Sequence, residues 1–160
     1  MPESGPQIEE RSRIADQLKR AFEGDAWHGP AVLEVLEGVE AHAAASKPIA
    51  GAHSIWELVL HIAAWDGAIC RRMEGQALQL SPEQDFPPVK DTSDSAWRSA
   101  LDTLKQRHAD LIQGVLAMPD YRLTSQVPGK DYDFYHMLHG AVQHELYHAG
   151  QIALLKKVAG

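Results

Sequence analysis

Residues 137–155 read MLHGAVQHELYHAGQIALL. Met137, Ala141, His144, His148, Ile152 and Leu155 follow one another at steps of four, three, four, four and three. Those steps return to one face of an α-helix, so the stretch predicts a long amphipathic helix with two histidines on its apolar side. It also contains HELYH, the H-E-x-x-H pattern in which two histidines hold zinc and the glutamate acts as general base. His144 and His148 differ by about 40° around the axis, so both imidazoles can reach one ion. The nitrogens would lie about 2.0–2.1 Å from it if it is zinc. Three readings are open: a zinc protease, another metalloenzyme, or a chance pair in a chain with nine histidines.

The tail narrows them. Only twelve residues, AGQIALLKKVAG, follow His148, and none is His, Cys, Asp or Glu. A protease of this design takes its third ligand from downstream, so that reading is disfavoured and a third ligand must lie upstream. His61 is the first candidate. It stands in WELVLHIAAW, with Leu58 three residues before it and Trp65 four after. A buried histidine is costly unless paired or bound, and three buried histidines on two packed helices explain one another if they share a metal. Three protein ligands leave a position open for water or substrate. His108, on the apolar stripe of its own helix, is the rival third ligand.

The rest of the chain reads as helix, with no internal repeat. A first helix is expected over residues 7–22, with Ile8, Ile14, Ala15, Leu18 and Phe22 as its apolar stripe. An extra short helix is expected near residues 30–38, opened by Pro30, with Val32, Leu33, Val35 and Leu36 inward. Ser54 and Glu57 form a capping box that starts a helix running to Glu74, where Gly75 stops it. Residues 75–92 form a long proline-bearing connection. Another helix follows over 93–118, ended by Pro119. A loop over 119–133 then leads into the last helix, 134–158. Four long helices and one short one predict an all-α four-helix bundle. The long 75–92 connection can cross the bundle, which makes up-down-down-up the expected topology. The whole chain, 1–160, reads as one domain, with residues 1–6 expected to be disordered.

Composition excludes several roles. The net charge of -7 repels phosphate backbones, which argues against nucleic-acid binding. No run approaches the roughly 18 apolar residues of a membrane span. The N-terminal MPESGPQIEERSR lacks the apolar centre of a signal peptide, and the single cysteine, Cys70, forms no intrachain disulfide. A cytoplasmic protein is the expectation.

The segments SIWELVLHIAAW and MLHGAVQHELYHAGQIALLKK resemble the DinB/YfiT-like superfamily, with the likeness running over about residues 8–158 and WHGP at 27–30 similar to a feature of one branch. The resemblance implies an up-down-down-up four-helix bundle, often a homodimer, with a divalent metal held by His61, His144 and His148. Zinc or nickel suits imidazole ligands best, with iron or manganese as further choices. The implied activity is that of a hydrolase or of a transferase acting with a low-molecular-weight thiol on a small-molecule substrate. The alternative is a non-catalytic metal-binding dimer of the stress response.

Other residues carry narrower expectations. Glu145 is the candidate catalytic base, but a supporting or structural role is favoured, since it points about 60° from His148 and about 100° from His144. Gln151 is placed to hydrogen-bond a ligand histidine. His136 is expected to line a pocket and His139 to face outward. His28 and His53 are expected to cap or pack at helix boundaries. Gly140 and Gly150 suggest close helix packing beside the site. Tyr121, Arg122, Lys130 and Tyr132 sit in a loop that could roof the pocket. Cys70 reads as a packed thiol.

Overall fold

Ser54 begins the helix that carries His61. Its hydroxyl accepts from the Glu57 amide at 3.1 Å, and the Glu57 carboxylate accepts from the Ser54 amide at 2.8 Å. This is the reciprocal capping box read from the sequence. It sets the register of a helix over Ile55–Met73. In the computed structural model, which describes residues 9–159, the helices are α1 (Glu10–Phe22), α2 (Val32–Leu36), α3 (Ala41–Ala45), α4 (Ile55–Met73), α5 (Pro82–Asp85), α6 (Asp94–Ala117) and α7 (Phe134–Ala159). Among the described residues there is no strand, only two isolated β-bridges. The expected disorder of residues 1–6, and the places of Gln7 and Ile8, lie outside the described residues.

The four long helices, α1, α4, α6 and α7, form a helical bundle. Both α1 and α4 pack against α6 and α7. Two apolar cores fill its ends. One collects Phe22, Trp56, Leu58, Ile62, Trp97, Leu104 and Ile152, and the other Ile14, Leu18, Ile69, Leu111, Val115, Phe134 and Leu138. Read along α4, α6 and α7, each helix passes from one core to the other. At each crossing stand buried polar side chains: His61 and Asp66, His108, Glu145 and His148. The bundle therefore has a polar waist between two greasy ends. Burial of so many ionisable groups is affordable only when each is paired or bound.

The loops lock the ends. Asp120, in a 3-10 turn over Asp120–Thr124, accepts from the Glu10 and Arg11 amides at 2.8 and 3.1 Å. It caps α1 from 110 residues away, replacing the side-chain cap that Glu9 does not supply. Trp97 donates its indole N–H to the Val39 carbonyl at 2.8 Å and packs against Trp56. The expected short helix is α2, shorter than residues 30–38, with Leu33 only partly buried. Two further short helices occur: α3 follows α2, and α5 interrupts the 75–92 connection. No described helix is long and apolar enough to cross a membrane.

Ser54→Ala removes the acceptor at the start of α4 and should lower stability by about 1 kcal/mol. The readout is a lower urea midpoint at unchanged slope; an unchanged midpoint would show that the cap does not hold this helix start.

Candidate metal centre

Three imidazoles meet at the waist. Nε2 of His144 lies 3.0 Å from Nε2 of His61 and 3.0 Å from Nε2 of His148. The far nitrogens of two rings are already engaged. Nδ1 of His61 is 2.7 Å from the Asp85 carbonyl oxygen and 3.1 Å from Asp85 Oδ1, and Nδ1 of His148 is 2.6 Å from Gln151 Oε1. These oxygens accept, so both Nδ1 atoms must carry the hydrogen. The Nε2 atoms of His61 and His148 are then bare lone pairs. His144 can donate one hydrogen to one of them, and the remaining lone pair still faces nitrogen at hydrogen-bond distance. A cation at the common focus resolves that conflict. Two nitrogens each about 2.0–2.1 Å from one ion sit roughly 3 Å apart, so the spacing fits.

The electrostatics favour the ligand form of each ring. Burial, followed by the proximity of His148 and His61, pushes the His144 imidazole down to about 3. Burial likewise lowers His61 and His148, against the partial opposition of Asp85 and Gln151. Neutral imidazole is the metal-binding species. Asp85 does double duty, since its Oδ1 also takes the Trp65 indole N–H at 2.7 Å. Phe86 stacks on His61 at 3.9 Å and on His53 at 3.8 Å, so one phenyl ring lies between two imidazoles. Such outer contacts fix tautomer and ring angle.

The imidazoles open onto a cavity of about 550 Å³. Its walls include Trp65, Ile69, Met137 and Ala141, with Arg72, Tyr132 and His136 further along. This is an apolar pocket with a few polar groups, of a size that suits a small molecule.

A second buried cluster draws on α4 and α7 again and adds α6. His108 Nδ1 is 2.9 Å from Glu145 Oε1 and 3.8 Å from Asp66 Oδ2, and Phe22 stacks on the His108 ring at 3.8 Å. Burial pushes the Glu145 carboxyl up to about 7, opposed by His108, and raises Asp66. Burial alone would lower His108, but Asp66 and Glu145 outweigh it and push the ring up to about 9. A protonated His108 between two acids ties α4, α6 and α7 together. This set, like the three histidines, has ligand atoms within 4.8 Å of one another.

His61, His144 and His148 are thus brought together, and His108 is not among them. Glu145 is fully buried on the far side of α7, against His108. The most buried line of α7 is Leu138, Ala141, Glu145, Ala149 and Ile152. His144 stands at its edge, half-buried and facing the cavity, rather than at its centre. Gln151 meets His148 as its position suggested, and His136 and Tyr132 reach the cavity wall. Cys70 is half-buried, with burial pushing its thiol up to about 11. Tight packing at Gly140 and Gly150 is absent: a Cβ at either would meet nothing within 4 Å. His28 is exposed in a turn.

Three site residues were not anticipated. Asp85 and Phe86 lie in the 75–92 connection, where periodicity carries no information. The signal was Ser81-Pro82-Glu83-Gln84, a capping box with proline at the first helical position, which starts α5 and delivers them. Asp66 sits four residues after Ile62 and three before Ile69, an acid on an apolar stripe. His108→Leu leaves two carboxyls buried without their cation and should cost roughly 3–5 kcal/mol, measured by urea denaturation at pH 7. A loss under about 1 kcal/mol would show that the cluster does not hold the waist.

Comparison with known proteins gives a family. Neither the curated proteins nor the solved structures contain a match to this chain. The profile of the DinB superfamily matches residues 26–152, from just before α2 into the last turns of α7, and so spans all three imidazoles. The chain belongs to the DinB superfamily.

Proposed function

We propose that this chain is a metal-dependent enzyme. In this reading His61, His144 and His148 hold one divalent ion, zinc or nickel, and a low-molecular-weight thiol is joined to a small electrophile in the adjoining cavity. The observation that carries the reading is the convergence of three Nε2 atoms, two of them stripped of hydrogen by acceptors on the opposite ring nitrogen. The reading extends to an up-down-down-up run of the four long helices, a homodimer, and a cytoplasmic setting, where such thiols are abundant and reduced.

A bound ion would supply Lewis acidity, lowering the pKa of a thiol or a water in contact with it. The chain's own residues do the remainder. Asp85 and Gln151 hold the ligand tautomers, and Trp65, Phe86 and Met137 keep the cavity apolar. In the transfer a carbon–sulfur bond forms, the bond from that carbon to its leaving group breaks, and the thiol proton passes to solvent. Glu145 is turned towards His108, so the H-E-x-x-H pattern lacks the carboxylate that would draw a proton from water. That favours thiol transfer over hydrolysis.

Protein purified without an affinity tag should carry close to one zinc or nickel per chain by plasma mass spectrometry, and His61→Ala, His144→Ala or His148→Ala should each lose most of it. With cysteine and 1-chloro-2,4-dinitrobenzene, the conjugation rate above background should fall at least about tenfold after chelation and recover when the metal is restored. Turnover of a p-nitrophenyl ester without any thiol, and no conjugation, would replace thiol transfer by hydrolysis. Stoichiometric metal with neither activity would favour the non-catalytic metal-binding dimer.

A further inference from the structure

Arg72 is a cation with no anion. Its side chain is 2% exposed, and among the described residues no carboxylate lies within ion-pair distance of it. A buried guanidinium is almost always paired, because taking its charge out of water is costly. Its neighbours here are neutral. Nε and Nη2 both donate to the Leu78 carbonyl, at 3.3 and 3.0 Å, and Nη1 donates to the Tyr132 hydroxyl oxygen at 3.2 Å. The Trp65 ring lies 5.3 Å from its Cζ.

Holding Leu78 in place needs a donor, not a charge. Of the five N–H groups of a guanidinium, these three bonds leave two, one on each terminal nitrogen. Tyr132 is used as an acceptor, so its own O–H remains free to donate. Arg72 and Tyr132 both line the cavity beside the imidazoles. They form a donor-rich, positively charged corner whose protein acceptors, the Leu78 carbonyl and the Tyr132 hydroxyl oxygen, carry no charge.

Helix geometry aims this corner at the imidazoles. His61, Trp65, Ile69 and Arg72 follow at steps of four, four and three and so share one face of α4. Long side chains on a helix lean towards its N-terminus, which turns Arg72 back towards Trp65 and His61. The Trp65 ring, 6.1 Å from the His144 ring on one side and beneath the guanidinium on the other, spans the gap.

We propose that the substrate of this site is a small apolar molecule bearing a carboxylate, held by Arg72 and Tyr132, with its body along Trp65, Ile69 and Met137 and its reacting end at the three imidazoles. A planar carboxylate matches the two remaining guanidinium N–H groups and the single tyrosyl O–H. The placement of the reacting end rests on the metal-centre reading above; the carboxylate contact does not.

The test is calorimetric titration with a matched pair, 3-phenylpropionate and 3-phenylpropanamide, into the full chain in both metal-free and zinc-loaded form. Metal content is measured on the same samples. In the metal-free protein the acid should bind at least about tenfold more tightly than the amide, because a charged hydrogen-bonded partner is lost. Arg72→Met should abolish that preference, and Tyr132→Phe should reduce it several-fold without unfolding risk. Equal binding of acid and amide by metal-free wild type would overturn the proposal. So would a preference that survives in Arg72→Met, since the carboxylate would then be held elsewhere. So would tighter binding of 2-phenylethylphosphonate than of the carboxylate. A preference present without metal but no zinc uptake would sink the metal reading while leaving the carboxylate subsite standing.

Discussion

Lone pairs facing lone pairs set the terms for the middle of this molecule. Two imidazoles are denied a hydrogen on Nε2 by oxygens that occupy their Nδ1–H groups, and both point at a third ring 3.0 Å away. A hydrogen on His144 can satisfy only one of the two contacts, and protonation is opposed by burial and by the neighbouring rings. A divalent cation removes that conflict and uses the lone pairs. The surrounding contacts with Asp85, Gln151 and Phe86 have value because they hold rings in a geometry that is unfavourable without an occupant.

The waist is tolerable because each end of the bundle is well filled. Leu104 and Ile152 are fully buried in one core, and Leu18, Leu111 and Leu138 in the other. Burying side chains of that size contributes on the order of 2 kcal/mol each, which offsets a layer of ionisable groups that by itself opposes folding. Within that layer the two clusters divide the work. Asp66, His108 and Glu145 pair with one another and link three helices. The three histidines stand at the cavity edge, where a ligand can reach them. Helix α7 serves both, with His144 turned to the cavity and its neighbour Glu145 turned to the sealed side.

Much of this was legible in the sequence. Three- and four-residue steps located the long helices, the Ser54–Glu57 box fixed the start of α4 to the residue, and a ligand-poor tail directed attention upstream to His61. What periodicity could not do was assign a loop to a site. Asp85 and Phe86 reach His61 through a single helical turn inside an 18-residue connection, and a turn that short leaves no repeating pattern. Nor could it separate positions about 100° apart on a helix that is apolar over a broad arc. The steps put His144 on the apolar stripe and Glu145 about 100° from it, yet Glu145 lies at the buried centre and His144 at its edge. Arg72 shows the same limit, since a basic residue in a last helical turn reads as an ordinary dipole partner. Only its buried, unpaired state in the fold marks it out.

Anomalous diffraction at the absorption edge of the bound metal tests the central claim most directly. A single strong peak equidistant from Nε2 of His61, His144 and His148, with density for a non-protein ligand on its cavity side, is the expected result. No peak there, or a peak held instead by Asp66, His108 and Glu145, would contradict it.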